Sequence, residues 1–121
     1  MSGQPSASIL IPTYAAPEYL SVTLASVVPQ AQAAGAEVIV ISDGPDSYVA
    51  EMAAQHPVSL ITLPEHRGLN AARNAGINAA RSDLLVLIDQ DVDAPPGWLD
   101  ALIEGVRRTP EAEVFGGPIR G

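Results

Sequence analysis

Five successive aliphatic residues, Leu84 to Ile88, run straight into Asp89-Gln90-Asp91. They place the chain in the α/β class, with a mostly parallel sheet and helices on both faces. A short run with no polar position suits a strand buried on both sides, as in parallel sheets covered by helices. Similar runs alternate with helical patterns along the chain, which predicts parallel βαβ units with right-handed crossovers. Composition agrees: hydrophobic residues make up 47% of the 121 residues and aromatics only 4%, so Ala, Val, Leu and Ile must build the core.

The elements follow in order. Ser8 to Pro12 read as the first strand, with proline tolerated because the strand ends there. Pro17 and Glu18 open a helix whose apolar stripe includes Leu20, Leu24, Val27 and Val28, and Gly35 ends it. Glu37 to Ser42 form a second strand, closed by the turn signal Asp43-Gly44-Pro45-Asp46. A short helix from Tyr48 to Gln55 leads to a third strand, Val58 to Leu63. Pro64 to Gly68 then loop into an Ala-rich helix from Leu69 to Arg81. Leu84 to Ile88 form the fourth strand. Pro95-Pro96 opens a helix carrying Trp98, Leu99, Leu102 and Val106, and Val114-Phe115 reads as a last short strand before Gly116-Gly117. Residues 1–7 read as a disordered N-terminal tail, and residues 8–121 as one domain part that would more naturally continue past Gly121.

Charge and composition exclude several functions. A net charge of −8 argues against nucleic acid as a partner, because phosphate backbones need a basic stripe. All six basic residues are Arg, so the P-loop, which places a Lys on the phosphates, is ruled out. Phosphotransfer sites of the response-regulator and haloacid-dehalogenase kinds also use a lysine and fall with it. No cysteine is present, so there is no thiol chemistry, as suits a cytoplasmic protein. No segment approaches the roughly 18 apolar residues of a membrane helix, and the first residues do not read as the basic start and long apolar run of a signal peptide.

Carboxylates at the carboxyl end of a buried strand lie where open α/β sheets bind ligands. Asp89 and Asp91 offer two hard oxygen donors without Cys or a nearby His, a set that suits Mg2+ or Mn2+ rather than zinc. The alternative is that they cap the next helix or solvate a loop. Asp89, Asp91, Asp93 and Asp100 mimic the spacing of a calcium EF-hand, but Ala94 stands where that loop needs Gly, and a strand precedes it. Three strand ends carry distinctive groups: Pro12-Thr13-Tyr14, Ser42-Asp43-Gly44 and Asp89-Gln90-Asp91. In a doubly wound sheet they converge on one edge. The helix start near Gly68 brings backbone N–H groups to the same edge, a place for an anion. Arg73 could contact phosphate or pair with a carboxylate. His56 and His66 read as exposed turn residues without a catalytic role.

In this constellation the sequence resembles the inverting family 2 glycosyltransferases. Ile9-Leu10-Ile11-Pro12-Thr13-Tyr14 is similar to that family's opening strand. Val38 to Gly44 resembles its acidic turn after the second strand. Arg67-Gly68-Leu69-Asn70-Ala71-Ala72-Arg73-Asn74-Ala75-Gly76 resembles its central helix motif. Asp89-Gln90-Asp91 with Pro96-Gly97-Trp98-Leu99 resembles its Asp-x-Asp motif and following helix. The likeness runs from Ser8 to Gly117, in order and spacing. It departs at Ala15, where Asn is usual, at Ser42, where an acidic residue is usual, and at Pro45, where Ser is usual.

The resemblance implies a Rossmann-like GT-A fold and transfer of a sugar from a nucleotide-diphosphate donor to an acceptor hydroxyl with inversion, the acceptor being a glycan, lipid or protein. It implies that Pro12, Thr13 and Tyr14 line the base and ribose pocket and that Asp43 hydrogen-bonds the base. Gly68 at the helix start and Arg73, on the residue reading above, complete the candidate donor-binding set. Asp89 would lie near ribose and metal, and Asp91 would ligate an Mg2+ or Mn2+ ion bridging the diphosphate. The family's general base lies in a later segment with no match here, so none is assigned and the chain reads as the donor half of a catalytic domain. Three further expectations follow: self-association through an exposed sheet edge at Val114-Phe115, a cytoplasmic location at the inner face of the membrane for the full-length protein, and, as the rival, a nucleotide-diphosphate-sugar binder without turnover. A nucleotidyltransferase would need a Gly-rich basic loop after strand one, unlike Thr13-Tyr14-Ala15-Ala16.

Overall fold

Strand residues alternate between two faces, and the chain uses each face differently. The computed structural model describes residues 4–14 and 17–108. Four strands, β1 (Ser8–Thr13), β2 (Glu37–Ser42), β3 (Ser59–Thr62) and β4 (Leu85–Leu87), form one parallel sheet in the order β3-β2-β1-β4. Ile9, Ile11, Val38, Val40 and Val86 point to one side. There they meet α1 (Leu20–Ala34), α2 (Ser47–Ala54) and α4 (Trp98–Arg108) through Leu24, Val27, Val49 and Leu99. Leu10, Ile39 and Ile41 point to the other side, onto α3 (Leu69–Ala79) through Ala72. The α/β architecture with helices on both faces is therefore as the sequence predicts.

Local signals explain the element ends. A short 3-10 turn, Pro17–Tyr19, leads into α1, and Gly35 closes that helix with a left-handed φ of 73°. Asp46 caps α2 by accepting from the Tyr48 and Val49 N–H groups. On α3, Gly76 permits the closest approach to the sheet: a Cβ there would lie 2.8 Å from Ile41 Cδ1. The predicted second, third and fourth strands and the helix after Gly68 all form, with ends shifted by at most two residues. The predicted Val114–Phe115 strand, and with it the expected sheet edge, lies outside the described residues.

Two expectations change. Pro12 lies inside β1, paired with Ile41, and Thr13 is the last strand residue. The proline is tolerated for a different reason. Even-numbered residues of β1 face β4: the Ser8 N–H donates to Leu84 O, and Leu10 O accepts from the Ile88 N–H at 3.1 Å. The next donor toward β4 would be residue 12, and proline has none. Pairing with β4 ends at Leu10, so the chain is released from the sheet before Asp89. Two residues read as part of a disordered tail over residues 1–7 are also held by the fold. Ser6 is bonded to Gly35 and Ala34, and Ala7 is fully buried.

At the amino edge of the sheet, Glu37 ties three segments together. Its carboxylate accepts from Ser8 Oγ at 2.6 Å, the Arg81 N–H at 2.7 Å and Arg81 Nε at 3.1 Å, while the Ser82 N–H donates to Ser8 Oγ. Burial works to raise the Glu37 pKa, but the hydrogen bonds from Ser8 and Arg81 and the Arg81 charge outweigh it, and the pKa falls below its ordinary 4.5. The stabilisation is then fully present above pH 4.5 and lost as pH falls through the lower folded value. Glu37→Gln is expected to cost about 1–3 kcal/mol near neutral pH. Denaturant titrations should show the variant and wild type converging in acid; a pH-independent difference would refute the linkage.

Candidate functional site

The strand order reverses between β1 and β4, and the helices that follow β1 and β3 lie on opposite faces. In open α/β sheets such a switch point opens a crevice outside the carboxyl ends of the strands. Thr13-Tyr14, Asp43 and Asp89-Gln90-Asp91 all stand at this edge, because β2, β1 and β4 are neighbours. The expected convergence of the three strand ends is thus present, and direct contacts link them.

The turn after β4 is held from two sides. Gln90 turns its amide to Tyr14: Oε1 accepts the Tyr14 N–H at 3.0 Å, and Nε2 donates to Tyr14 O at 3.3 Å. Residue 14 follows the even-numbered positions of β1 that face β4, so this side chain continues the ladder that Pro12 interrupts. From the other side, α1 presents Thr23, Ser26 and Gln30, three and four residues apart on one face. Thr23 Oγ1 donates to Gln90 O at 2.6 Å, and Ser26 Oγ accepts the Ala94 N–H at 3.0 Å. Gln30 donates to Pro95 O and accepts the Leu99 N–H. Between these anchors Val92 and Ala94 are buried, and Asp89, Asp91 and Asp93 face solvent.

Among the described residues, neither the Asp89 nor the Asp91 carboxylate has a hydrogen-bond or ion-pair partner, and no group of three or more His, Cys, Asp or Glu side chains could hold a metal. Two free carboxylates on a braced turn fit an ion that keeps part of its coordination for water and phosphate. Mg2+ behaves in this way, commonly taking one or two carboxylates plus substrate phosphates.

Asp43 is the opposite case. It is buried, and three donors converge on it: the Arg67 N–H at 2.7 Å on Oδ1, and the Gly68 N–H at 2.9 Å and His66 Nδ1 at 2.8 Å on Oδ2. Burial raises its pKa, but the two backbone donors and His66 more than compensate, and the value lies below the ordinary 3.8. Gly68 is the N-cap of α3 with a φ of 105°, a conformation that favours glycine. The Gly68 N–H expected to await a phosphate is therefore already engaged: the anion at this helix start is Asp43 itself.

His66, read from sequence as a turn residue without a role, packs against the same site. Its ring stacks on Tyr14 with centroids 3.8 Å apart and planes inclined by 17°, while Nδ1 faces Asp43. Tyr14 and His66 remain half-exposed, an aromatic platform beside the crevice. Thr13 is buried, with Oγ1 directed at Ile41 O. Arg73 is half-buried on the second turn of α3 and makes no ion pair among the described residues. Asp43 and Asp91 follow strands separated by β1, about 10 Å apart by strand spacing. One ion cannot bridge them.

Comparison with known proteins gives this geometry a family. The model of glycosyl transferase family 2 matches residues 8–121, and the chain belongs to that family. It is 27% identical over 118 residues to a dolichol-phosphate mannosyltransferase of Pyrococcus furiosus, covering 94% of this chain and 34% of that protein. It is 30% identical over 105 residues to an undecaprenyl-phosphate 4-deoxy-4-formamido-L-arabinose transferase of Edwardsiella ictaluri, covering 80% of this chain and 32% of that protein. The fold matches that of the mannosyltransferase PcManGT from Pyrobaculum calidifontis, solved with GDP-Man and Mn2+. The TM-score is 0.70 at 24% identity, over 86% of this chain and 32% of that one. The chain thus spans about a third of the length of these relatives. Among the described residues, no helix is long and apolar enough to cross a membrane.

Asp43→Asn keeps one acceptor oxygen where three donors converge. It is expected to lower stability by about 1–3 kcal/mol and to speed amide exchange at Arg67 and Gly68. Unchanged protection at those two amides would show that Asp43 does not hold the segment.

Proposed function

We propose that this chain forms the donor-binding part of an inverting glycosyltransferase, taking a nucleotide-diphosphate sugar with a divalent cation and passing the sugar to an acceptor hydroxyl. The observation that carries the reading is the meeting of unlike groups along one sheet edge. An aromatic platform stands at its β1–β2 end, and two unpaired carboxylates on a braced turn stand at its β4 end. A nucleotide diphosphate has that same polarity, with a flat base at one end and a chelating pair of phosphates at the other. Family membership and the fold shared with a GDP-Man- and Mn2+-bound mannosyltransferase support the same assignment.

In this reading Tyr14 and His66 face the base, Pro12 and Thr13 form the pocket floor with the ribose above them, and Asp43 shapes the pocket by fixing residues 66–68. Asp91, with Asp89 beside it, would hold Mg2+ or Mn2+; the bound ion would act as a Lewis acid on the departing diphosphate and as a template for the donor. Arg73, without an ion pair among the described residues, would add positive charge toward phosphate. Fixed groups aimed at the charge that develops on the leaving phosphate are usually the largest source of acceleration in such reactions. The acceptor is a glycan, lipid or protein hydroxyl.

Ligand-linked stability tests the metal assignment. UDP or GDP should raise the melting temperature in Mn2+ and much less in EDTA. Asp91→Asn should abolish the difference while leaving the unliganded protein almost as stable, since an exposed carboxylate without partners contributes little to folding. Equal shifts with and without Mn2+ would sink the role given to Asp91. The base assignment has its own measurement: Tyr14→Ala should weaken UDP and GDP in both Mn2+ and EDTA, by about 1–3 kcal/mol per lost stacking contact. A loss confined to Mn2+ would place Tyr14 away from the base.

A further inference from the structure

We propose that Gln90, the middle residue of Asp89-Gln90-Asp91, is a positioning residue that fixes the metal-binding turn against the base-binding end of β1, so that cation and nucleotide are recognised as one ligand. The inference rests on the donor-site reading above and adds a role for a side chain that touches neither ligand.

The argument begins with what the turn lacks. After Ile88 the chain has left the sheet, since Pro12 offers no N–H to continue the ladder. Asp89 and Asp91 face water without partners of their own, so nothing at their own carboxylates sets where they point. Gln90 supplies the constraint at three atoms. Oε1 and Nε2 bond both backbone groups of Tyr14, and the carbonyl accepts from the buried Thr23 hydroxyl. A primary amide has a donor and an acceptor side by side, the pattern that a backbone N–H and C=O present, so it can stand in for a strand. A carboxylate offers only acceptors, and an aliphatic side chain offers neither.

The two bonds anchor the turn on Tyr14, which has its own support: its ring stacks on His66, and His66 is held in turn by Asp43. A continuous series of contacts therefore joins the exposed carboxylates to the base platform. If the turn shifts, the phosphates of a nucleotide seated on Tyr14 no longer meet the ion. The cost should appear only when base, phosphates and metal are engaged together. Partners that orient metal ligands commonly matter by about 10–100-fold in affinity when removed.

The test uses the full 121-residue chain and the variant Gln90→Met, which keeps the length of the side chain and removes both hydrogen bonds. Because Tyr14 is exposed, water can replace the lost partners and the unliganded melting temperature should change little. Isothermal titration with UDP and GDP is run in Mn2+ and again in EDTA. The expected result is a loss of about 10–100-fold in Mn2+ with little change in EDTA. Thr23→Val, which removes only the carbonyl anchor, should give a smaller loss with the same selectivity for Mn2+. Unchanged affinity of Gln90→Met in Mn2+, or an equal loss in Mn2+ and EDTA, overturns the positioning role and leaves the donor-site reading standing. Wild-type protein that binds UDP and GDP no better in Mn2+ than in EDTA overturns the metal reading itself, and this inference with it.

Discussion

A proline in a central strand is a constraint the fold must be built around. β1 lies between β2 and β4, where every backbone donor normally has a partner. Placing Pro12 on the side facing β4 leaves pairing with β2 complete from Ser8 to Thr13 and cuts pairing with β4 after Leu10. Two consequences follow from that one missing N–H. The sheet stays continuous at its amino edge, where Ala7, Ser8 and Glu37 are buried or half-buried. At its carboxyl edge pairing with β4 stops at Leu10, and the two strand ends are joined instead through Gln90 and Tyr14, beside the two exposed aspartates.

The carboxylates at this edge show how environment divides one chemical group into two roles. Asp43 sits at a helix start among three donors and is held ionised by them; its negative charge complements the positive end of α3. Its interactions are internal, and their product is a fixed shape for residues 66–68. Asp89 and Asp91 have solvent in place of donors, so their charge is available to a cation from outside. Aspartates in similar turns after similar apolar strands are thus internally bonded in one case and exposed in the other. The difference lies in whether a neighbouring segment delivers its N–H groups to the carboxylate.

The same distinction explains how much could be read from sequence. Strand and helix periodicities depend on side-chain burial alone, so the four strands, the four helices and their order were legible, as was the convergence of three strand ends. Asp43, Tyr14 and the Asp-x-Asp turn stood out because each begins within three residues of the end of an apolar run. What sequence could not display were bonds between distant segments that carry no periodic signature. His66 looked like an ordinary turn residue because its partners, Asp43 and Tyr14, are 23 and 52 positions away in the chain. Gln90, between two acids, carries no such signature either. Thr23, Ser26 and Gln30 left the one available hint, a polar row beside the apolar stripe of α1, and only the fold shows that it meets the backbone of the loop after β4. The bond from the Gly68 N–H to Asp43 was hidden for a related reason: it joins a helix start to a residue 25 positions earlier, across the sheet edge.

α1 therefore serves the core and the site at once, and the two duties are mechanically joined. Leu20, Leu24, Val27 and Val28 fix the helix on the sheet, and the adjacent row of Thr23, Ser26 and Gln30 fixes the loop from Gln90 to Leu99 on the helix. Neither row can shift by a residue without moving the other, because both belong to one rigid helix of 15 residues. Loops carry binding groups well only when a rigid scaffold positions them. Here the scaffold grips backbone atoms rather than the acidic side chains, so Asp89 and Asp91 are placed without being neutralised. That arrangement lets a highly acidic protein keep two unpaired carboxylates within one turn: the hydrogen bonds that hold the turn come from neutral hydroxyls and amides, which leave the negative charge for a cation.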